Sequence, residues 1–479
     1  MHYFLANSYS CVNILSTVAV DNPYYKRRKK CQNILKIKQR LAWKVLSELC
    51  ASLVKFLKEI ITSEEFLARH RQSDKNFIRN RIIPFPVLIF FLMNLIKGSL
   101  QDELDYFFKA LSNFDVAARI VTKSAFCKAR KRLNNTAFIE LTEKLVTFFY
   151  SHFPYRKWHG FRLLAADGST VKVPKTQSVA DHFGAWNPAK GDPCPLARIS
   201  FLFDPLNKLK LHAVISPKAN GERNLLAQHV NQNIMGTQDL LLLDRGYPAF
   251  WLFVLILSTG ADFCARVKKD HWRIIRTFFR SGKLEDIVWL KPSPASVQEC
   301  LRMGLSIKPM KIRLIRVVLD NGETEILMTS LLDKTLYPHE IFKDLYHKRW
   351  PIEEDYKAMK SRIEIENFSG KSVESVYQDF HARVLTANLT AVIVHPAQDV
   401  VERQTQERLH PYQVNLTQAL SKMKDTVVLF FYRSNIRELI SNLLALFIKT
   451  IEPIRPDRKY PRKKGIRKQG FFPCYKPIR

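Results

Sequence analysis

The chain has 479 residues, of which 46% are hydrophobic and 11% aromatic; this composition excludes a disordered protein and predicts two or three packed units. Its charge is unusual, because 76 Lys and Arg against 44 Asp and Glu give a formal net charge of +32. Such a field attracts polyanions, of which nucleic acid is the commonest, with an anionic membrane surface as the alternative.

Membrane spans and a secretory signal are both disfavoured by the sequence. Crossing a bilayer takes roughly 18 or more consecutive apolar residues, whereas the longest apolar run, at 82–96, is interrupted by Pro84, Pro86 and Asn94. The N-terminus lacks the basic region of a signal peptide, and the eight cysteines form no C-x-x-C pair. We therefore expect a cytoplasmic protein without a membrane partner.

The N-terminal third is basic and helical in pattern. Residues 1–40 contain a dense basic run at 26–40 and receive no assignment, and 41–160 are predicted to be a helical, DNA-binding region. Two helices, in 99–111 and 122–133, are joined by a short connection, and Thr122 or Ser124 is the expected N-cap of the second. We expect that helix to contact DNA through a basic cluster: Lys128, Arg130, Lys131 and Arg132. The alternative is a solvated basic face.

From Phe161 the apolar pattern changes from helical to strand-like. One apolar run ends at Asp167-Gly168, two strands follow around 204–207, and a buried strand ends at Asp244. A buried helix at 249–260 and a returning strand complete a β-α-β unit. Residues 161–267 are thus the predicted first part of a mixed α/β catalytic core.

The rest of the chain divides into four predicted segments. Residues 268–335 are a β-rich insertion with a hairpin turning at Asn321-Gly322. Residues 336–400 form the second part of the core, with helices starting at Pro338 and Pro351 and a kink expected at Trp350, because proline disfavours helical geometry in the residue before it. Residues 401–454 are a C-terminal helical region, and 455–479 are a basic tail drawn to phosphate.

Three acidic residues stand where a catalytic site would form. Asp167 and Asp244 end predicted strands, and Glu353 lies in the first turn of a helix. Taken singly, each has a structural interpretation as a turn or helix-cap carboxylate. The surroundings of Glu353 favour a site, because Tyr346, Arg349, Glu353 and Lys360 follow a Y-x2-R-x3-E-x6-K spacing, which chance produces at roughly one position in 10⁵.

This spacing, together with DGST at 167–170 and DRGY at 244–247, resembles the bacterial insertion-sequence transposases of family four, whose signature is named Y-R-E-K, within the DDE superfamily. The resemblance implies a ribonuclease H-like mixed-sheet core in which Asp167, Asp244 and Glu353 hold two Mg²⁺ ions, with Mn²⁺ as a substitute. Independently, phosphodiester transfer uses two hard cations, and these select carboxylates.

The resemblance also implies partners. Tyr346, Arg349 and Lys360 would contact the transferred DNA end, and the protein would bind terminal inverted repeats and target DNA as a homodimer or larger assembly, in the cytoplasm at the bacterial nucleoid. Well-known relatives hold a flipped base with an aromatic residue where this chain has Glu325 and Ile326. Trp272 and Trp289 lie in the insertion, and a core position is the favoured interpretation for both.

Two alternative functions remain open at this point. One is a metal-dependent nuclease of the same fold that cuts without joining. The other is a non-catalytic DNA-binding protein derived from a transposase, although the presence of all three carboxylates speaks against decay of the site.

Overall fold

The computed structural model describes residues 23–79, 81–187 and 193–455, and the side chains of 23–42 are outside this description. The side chains of the basic run at 26–40 and the basic tail beyond residue 455 therefore lie outside the described residues.

The N-terminal region is helical, as predicted. Its helices are α1 (Pro23–Thr62), α2 (Glu64–His70), α3 (Phe85–Met93), α4 (Leu100–Ser112), α5 (Lys123–Arg130) and α6 (Thr136–His152). Thr122 is the N-cap of α5, since its hydroxyl accepts a hydrogen bond from the Ala125 N–H at 3.2 Å. The predicted boundary between residues 40 and 41 falls inside α1, which is one continuous helix.

A nine-stranded mixed sheet forms the centre of the fold. Its strands are β1 (Arg162–Lys172), β2 (Ala185–Trp186), β3 (Cys194–Asp204), β4 (Leu209–Pro217), β5 (Asp239–Leu243), β6 (Asp262–Val267), β7 (Glu285–Leu290), β8 (Met310–Val318) and β9 (Thr324–Thr329). The strand order is β2-β3-β1-β5-β6-β9-β8-β7, with β4 paired to β3. An antiparallel β1-β3-β4 unit followed by parallel β5 and β6 is the predicted ribonuclease H-like arrangement.

The helices between these strands are α7 (Gln177–Phe183), α8 (Glu222–Val230), α9 (Phe250–Ser258), α10 (Arg273–Arg280) and α11 (Pro294–Arg302). Both faces of the sheet are buried, because alternate residues of a strand point to opposite faces. In β5, Leu240 and Leu242 belong to one hydrophobic cluster, whereas Leu241 and Leu243 belong to the other. This two-sided burial explains the uninterrupted run of leucines.

The predicted β-rich insertion contains β7, β8 and β9, which are strands of the main sheet. The hairpin at Asn321-Gly322 is confirmed, with β8 and β9 antiparallel. However, β9 also pairs with β6 in the core, and two helices, α10 and α11, lie within the same segment.

The C-terminal part consists of α12 (Ile341–His347), α13 (Pro351–Ser361), α14 (Val373–Gln404), β10 (Tyr412–Val414), α15 (Leu416–Tyr432), α16 (Ile436–Lys449) and β11 (Ile451–Pro453). The break between α12 and α13 is confirmed, but Trp350 itself has helical angles (φ −51°, ψ −37°), so the stated reason for the break was wrong. The predicted boundary at residue 400 falls inside α14.

Helix α14 is the one described helix that is long and apolar enough to span a membrane. Its most apolar window is 83% buried within the protein, against helix α6 and strand β4 among others. This burial is that of a central core helix.

Candidate active site

The register of the sheet brings Asp167 and Asp244 together. Strands β1 and β5 are parallel, and their last paired residues are Ala166 and Leu243, so the two aspartates are the next residues on adjacent strands. Side-chain alternation directs both toward the face covered by α13. The first strand is longer than predicted and does not end at Asp167. Its pairing with β5 stops at Ala166, but its pairing with β3 continues to Lys172.

Glu353 approaches from the first turn of α13. Pro351 occupies the start of this helix, where the missing N–H costs nothing. Tyr356 fixes the helix on β1, because its hydroxyl donates to the Asp167 carbonyl at 2.6 Å and accepts from the Phe201 N–H at 3.1 Å. The sequence analysis did not identify Tyr356. Its position one helical turn after Glu353 was a signal that it could pack against the site.

Arg349 lies among the carboxylates. Its Nη2 atom contacts the Glu353 carboxylate, and its Nη1 atom is 3.8 Å from Oδ2 of Asp167. The residue is 5% exposed, and Nη1 has no hydrogen-bond partner among the described residues. In this arrangement the guanidinium lies against two carboxylates and is buried. It is therefore not accessible for the predicted contact with a DNA end unless it moves.

A second arginine, missed by sequence reasoning, holds Asp244. Arg266 of β6 donates to Oδ1 of Asp244 at 2.7 Å and also pairs with Glu325. Burial alone would raise the pKa of Asp244, but the Arg245 N–H and the Arg266 guanidinium outweigh it, and the pKa is lowered. A charged residue inside the apolar strand 262–267 was the signal that could have identified it.

Tyr346 and Lys360 border the same site. The Tyr346 hydroxyl is 3.4 Å from Oδ1 of Asp244, and burial raises its pKa. Lys360, seven residues after Glu353 on α13, donates to the Ser169 hydroxyl at 2.7 Å. The site thus brings together all four residues of the Y-x2-R-x3-E-x6-K pattern with Asp167 and Asp244.

The acidic neighbours of Glu353 are engaged elsewhere. Glu354 is exposed and pairs with Lys357 at 2.6 Å, while Asp355 pairs with the buried Lys210 of β4 at 2.7 Å. Glu353 is accordingly the residue of this run that contacts Arg349.

The pKa of Asp167 reflects its burial first and the neighbouring negative charges second. Burial, followed by the charges of Glu353 and Asp244, raises its pKa to about 6, although the Gly168 N–H and Arg349 act in the opposite direction. The native state thus binds a proton more tightly than the unfolded chain, so this stabilisation is fully present below pH 3.8 and is lost as the pH rises through about 6.

Replacing Asp167 by Asn should therefore stabilise the metal-free protein at pH 8. The expected gain is about 2 kcal/mol, after a discount for partial exposure, and it should disappear at pH 4. Urea unfolding in EDTA at both pH values measures this difference. An equal gain at both pH values would contradict the assigned pKa.

Carboxylate oxygens are the donors that hard divalent cations prefer, so the three acidic residues fit a metal site chemically. As placed, no group of three Asp, Glu, His or Cys side chains in the described ranges is close enough to hold a metal ion. Arg349 and Arg266 supply the positive charge between the carboxylates. Metal binding therefore requires these side chains to rotate.

The N-terminal basic cluster is only partly available to DNA. Arg130 is 4% exposed and donates to Gln378, Ser369 and Asp379, each at 2.8 Å, so its predicted DNA contact is wrong. A helical wheel drawn from sequence could not reveal these distant partners. The remaining members differ in exposure: Lys128 and Lys131 are exposed and Arg132 is half-buried.

The two tryptophans of the predicted insertion differ. Trp272 is half-buried and packs against the hydrophobic core, with its ring 6.5 Å from that of Phe253, in line with the favoured interpretation. Trp289 of β7 is 55% exposed, so its core interpretation was wrong. Lys311 lies over its ring.

The family called "Transposase DDE domain" matches residues 158–389, a range that contains Asp167, Asp244 and Glu353. The transposase InsG of insertion sequence element IS4 from Escherichia coli is 24% identical over 327 residues, which are 65% of this chain and 70% of that protein. These two matches support the assignment of the chain to the DDE transposases of insertion-sequence family four. This transposase also resembles a piggyBac transposase synaptic complex with hairpin DNA, at 10% identity and a TM-score of 0.40, over 86% of this chain and 85% of that chain.

The predicted function, a DNA transposase, is thereby confirmed, as is its enzymatic class. Neither a nuclease without strand transfer nor a non-catalytic derivative is favoured. The family as a whole depends on divalent metal and acts on DNA.

Proposed function

We propose that Asp167, Asp244 and Glu353 of this transposase hold two Mg²⁺ ions, for which Mn²⁺ can substitute, and that the site cuts the ends of its insertion sequence and joins them to target DNA. The observation that carries this proposal is the register of β1 and β5, which makes the two aspartates neighbours, while Arg349 links Asp167 to Glu353. Burial, together with the charges of Glu353 and Asp244, disfavours the ionised form of Asp167, and a bound cation would offset this cost.

The protein's own groups prepare the site. Bound divalent ions would activate the attacking hydroxyl and stabilise the leaving oxygen. Arg266 keeps Asp244 ionised, and Tyr356 holds the start of α13 against β1. Arg349 supplies positive charge between the carboxylates in this arrangement. Once displaced, its planar guanidinium is suited to bidentate phosphate binding, and Tyr346 and Lys360 border the same opening.

Metal removal gives the direct test of this proposal. Duplexes carrying the terminal inverted repeats, read from the DNA flanking the gene, should be cleaved in Mg²⁺ and left intact in EDTA, with cleavage restored by Mn²⁺. Joining of the released 3′ ends to a second duplex separates transposition from simple nuclease action. Cleavage that persists in EDTA would contradict the metal site.

We also propose that the C-terminal end of α5 and the two residues that follow it contact DNA through Lys128, Lys131 and Arg132. Reversal of charge at both lysines, Lys128→Glu with Lys131→Glu, should weaken binding to duplex DNA by about tenfold or more at 0.1 M salt and reduce the salt dependence by about two phosphate contacts. Fluorescence anisotropy at several salt concentrations measures both. Lys357→Glu on α13 is the control, because it reverses the charge of another exposed lysine. A loss of affinity as large in this control would contradict a specific role for the lysines at 128 and 131.

Terminal inverted repeats occur in pairs, so coordinated cleavage favours a homodimer or larger assembly on DNA. The high positive charge and the DNA substrate favour a cytoplasmic protein at the nucleoid. Light scattering with and without paired end duplexes tests the assembly.

A further inference from the structure

A fourth carboxylate reaches the segments that bear the two aspartates. Glu222 is the first residue of α8, and its side chain lies over Gly168, where an added Cβ would be 3.1 Å from the Glu222 Cγ atom. An added Cβ at Gly246 would be 3.6 Å from Oε2 of Glu222. Because Gly168 follows Asp167 and Gly246 lies two residues after Asp244, Glu222 lies across both segments.

A structural role accounts for part of this placement. A glutamate in the first turn complements the helix dipole, and Arg198 of β3 donates to Oε1 of Glu222 at 3.0 Å. These two interactions explain why the residue is acidic. They leave unexplained why glycines stand at 168 and 246, where the carboxylate comes close to the main chain.

A buried hydroxyl points to a ligand at the same place. Tyr247 is 1% exposed, and its hydroxyl has no hydrogen-bond partner in the part of the chain that the structure describes. Burial raises its pKa, and the negative charges of Asp167, Glu222 and Asp244 raise it further, although Arg349 acts in the opposite direction; the hydroxyl therefore lies within electrostatic range of these carboxylates. Leaving such a donor without an acceptor costs about 1–3 kcal/mol.

A cavity opens beside Glu222 and Gly246. Its volume is about 670 Å³, and its lining includes Glu222, Arg198, Arg223 and Gly246. The lining is mainly polar and has room for hydrated ions and a phosphate group, so the carboxylate of Glu222 faces space that water and metal can enter.

We propose that Glu222 is a fourth carboxylate of the catalytic metal site, with the Tyr247 hydroxyl as a donor to the water held there; this inference rests on the metal site proposed above. Two divalent cations carry four positive charges, whereas Asp167, Asp244 and Glu353 supply three negative ones. Glu222 balances the charge. Water held in the filled site would also give the unpartnered Tyr247 hydroxyl an acceptor.

The test is Mn²⁺ binding to the full-length chain, measured by electron paramagnetic resonance of the unbound ion. Glu222→Gln preserves an oxygen that accepts from Arg198 and should weaken binding about 10- to 100-fold. The matched control is Glu299→Gln, because Glu299 lines the same cavity but pairs with Arg302 at 2.6 Å. Affinity of Glu222→Gln within about twofold of the unaltered chain would overturn the proposal.

Glu353→Gln in the same titration separates this inference from the proposed function. If Glu353→Gln weakens Mn²⁺ binding and Glu222→Gln does not, the three-carboxylate site stands and Glu222 is structural. If neither variant changes binding, or the unaltered chain binds no Mn²⁺, the metal site fails and this inference fails with it.

Tyr247→Phe gives a second readout that a purely structural role would not produce. It removes only the hydroxyl, so the thermal midpoint of the metal-free protein should be equal or higher, while Mn²⁺ affinity falls. A lower midpoint together with unchanged affinity would show that the hydroxyl serves packing alone.

Discussion

Replacement of Glu353 by Gln should reduce cleavage of end duplexes by on the order of a thousandfold or more while leaving their binding nearly unchanged. The substitution keeps the size of the side chain and removes the negative charge that a hard cation requires. Rate constants for single-turnover cleavage, with anisotropy on the same duplex, measure the two effects.

The adjacent residue supplies the control for this experiment. Glu354 is exposed, and its ion-pair partner in the described part of the chain is Lys357, so Glu354→Gln should cleave at the rate of the unaltered enzyme. If Glu353→Gln cleaves as fast as Glu354→Gln, the assignment of the third carboxylate is wrong.

Replacement of Arg130 by Met should destabilise the protein by about 3–5 kcal/mol, because it leaves Asp379 charged, buried and unpaired. Arg130 and Asp379 are 4% exposed each and join at 2.8 Å, and Gln378 and Ser369 complete the network. These contacts connect α5 to α14 and to Ser369 in the segment before α14. Thermal and urea unfolding measure the loss.

Two further variants establish the cause. Lys128→Met changes an exposed lysine of the same helix and should leave the unfolding midpoint unchanged. Removing both members of the pair, Arg130→Met with Asp379→Leu, should recover part of the stability because the buried charge of Asp379 is gone, although the buried Arg383 then loses the favourable charge of Asp379. If Arg130→Met instead weakens DNA binding without lowering stability, the original assignment to DNA contact would be correct.

Much of the core follows from local sequence rules. Some elements can be predicted from their own residues without knowledge of their neighbours. Examples are the buried leucines of β5, the returning strand β6 and the turn at Asn321-Gly322. The catalytic candidates were accessible for the same reason, since the ends of adjacent parallel strands meet at one edge of a sheet. The Y-x2-R-x3-E-x6-K spacing then located Glu353 independently of any strand pattern.

The sequence could not show contacts between side chains that are far apart along the chain. The basic appearance of residues 128–132 hid the fact that Arg130 points inward to a helix nearly 250 residues away. The family resemblance implies that Arg349 contacts DNA, and it could not show that Arg349 also lies against the carboxylates of Glu353 and Asp167. Trp289 was assigned to the core by residue type, whereas its strand lies at the edge of the sheet.

The pairing of β9 with β6 has a consequence for any attempt to shorten this enzyme. Deleting the segment that contains β7, β8 and β9 would leave β6 as an open edge, with a row of unpaired N–H and C=O groups on a strand rich in buried apolar residues. Such an edge is a template for intermolecular strand addition. Trimmed versions of the protein are therefore expected to aggregate.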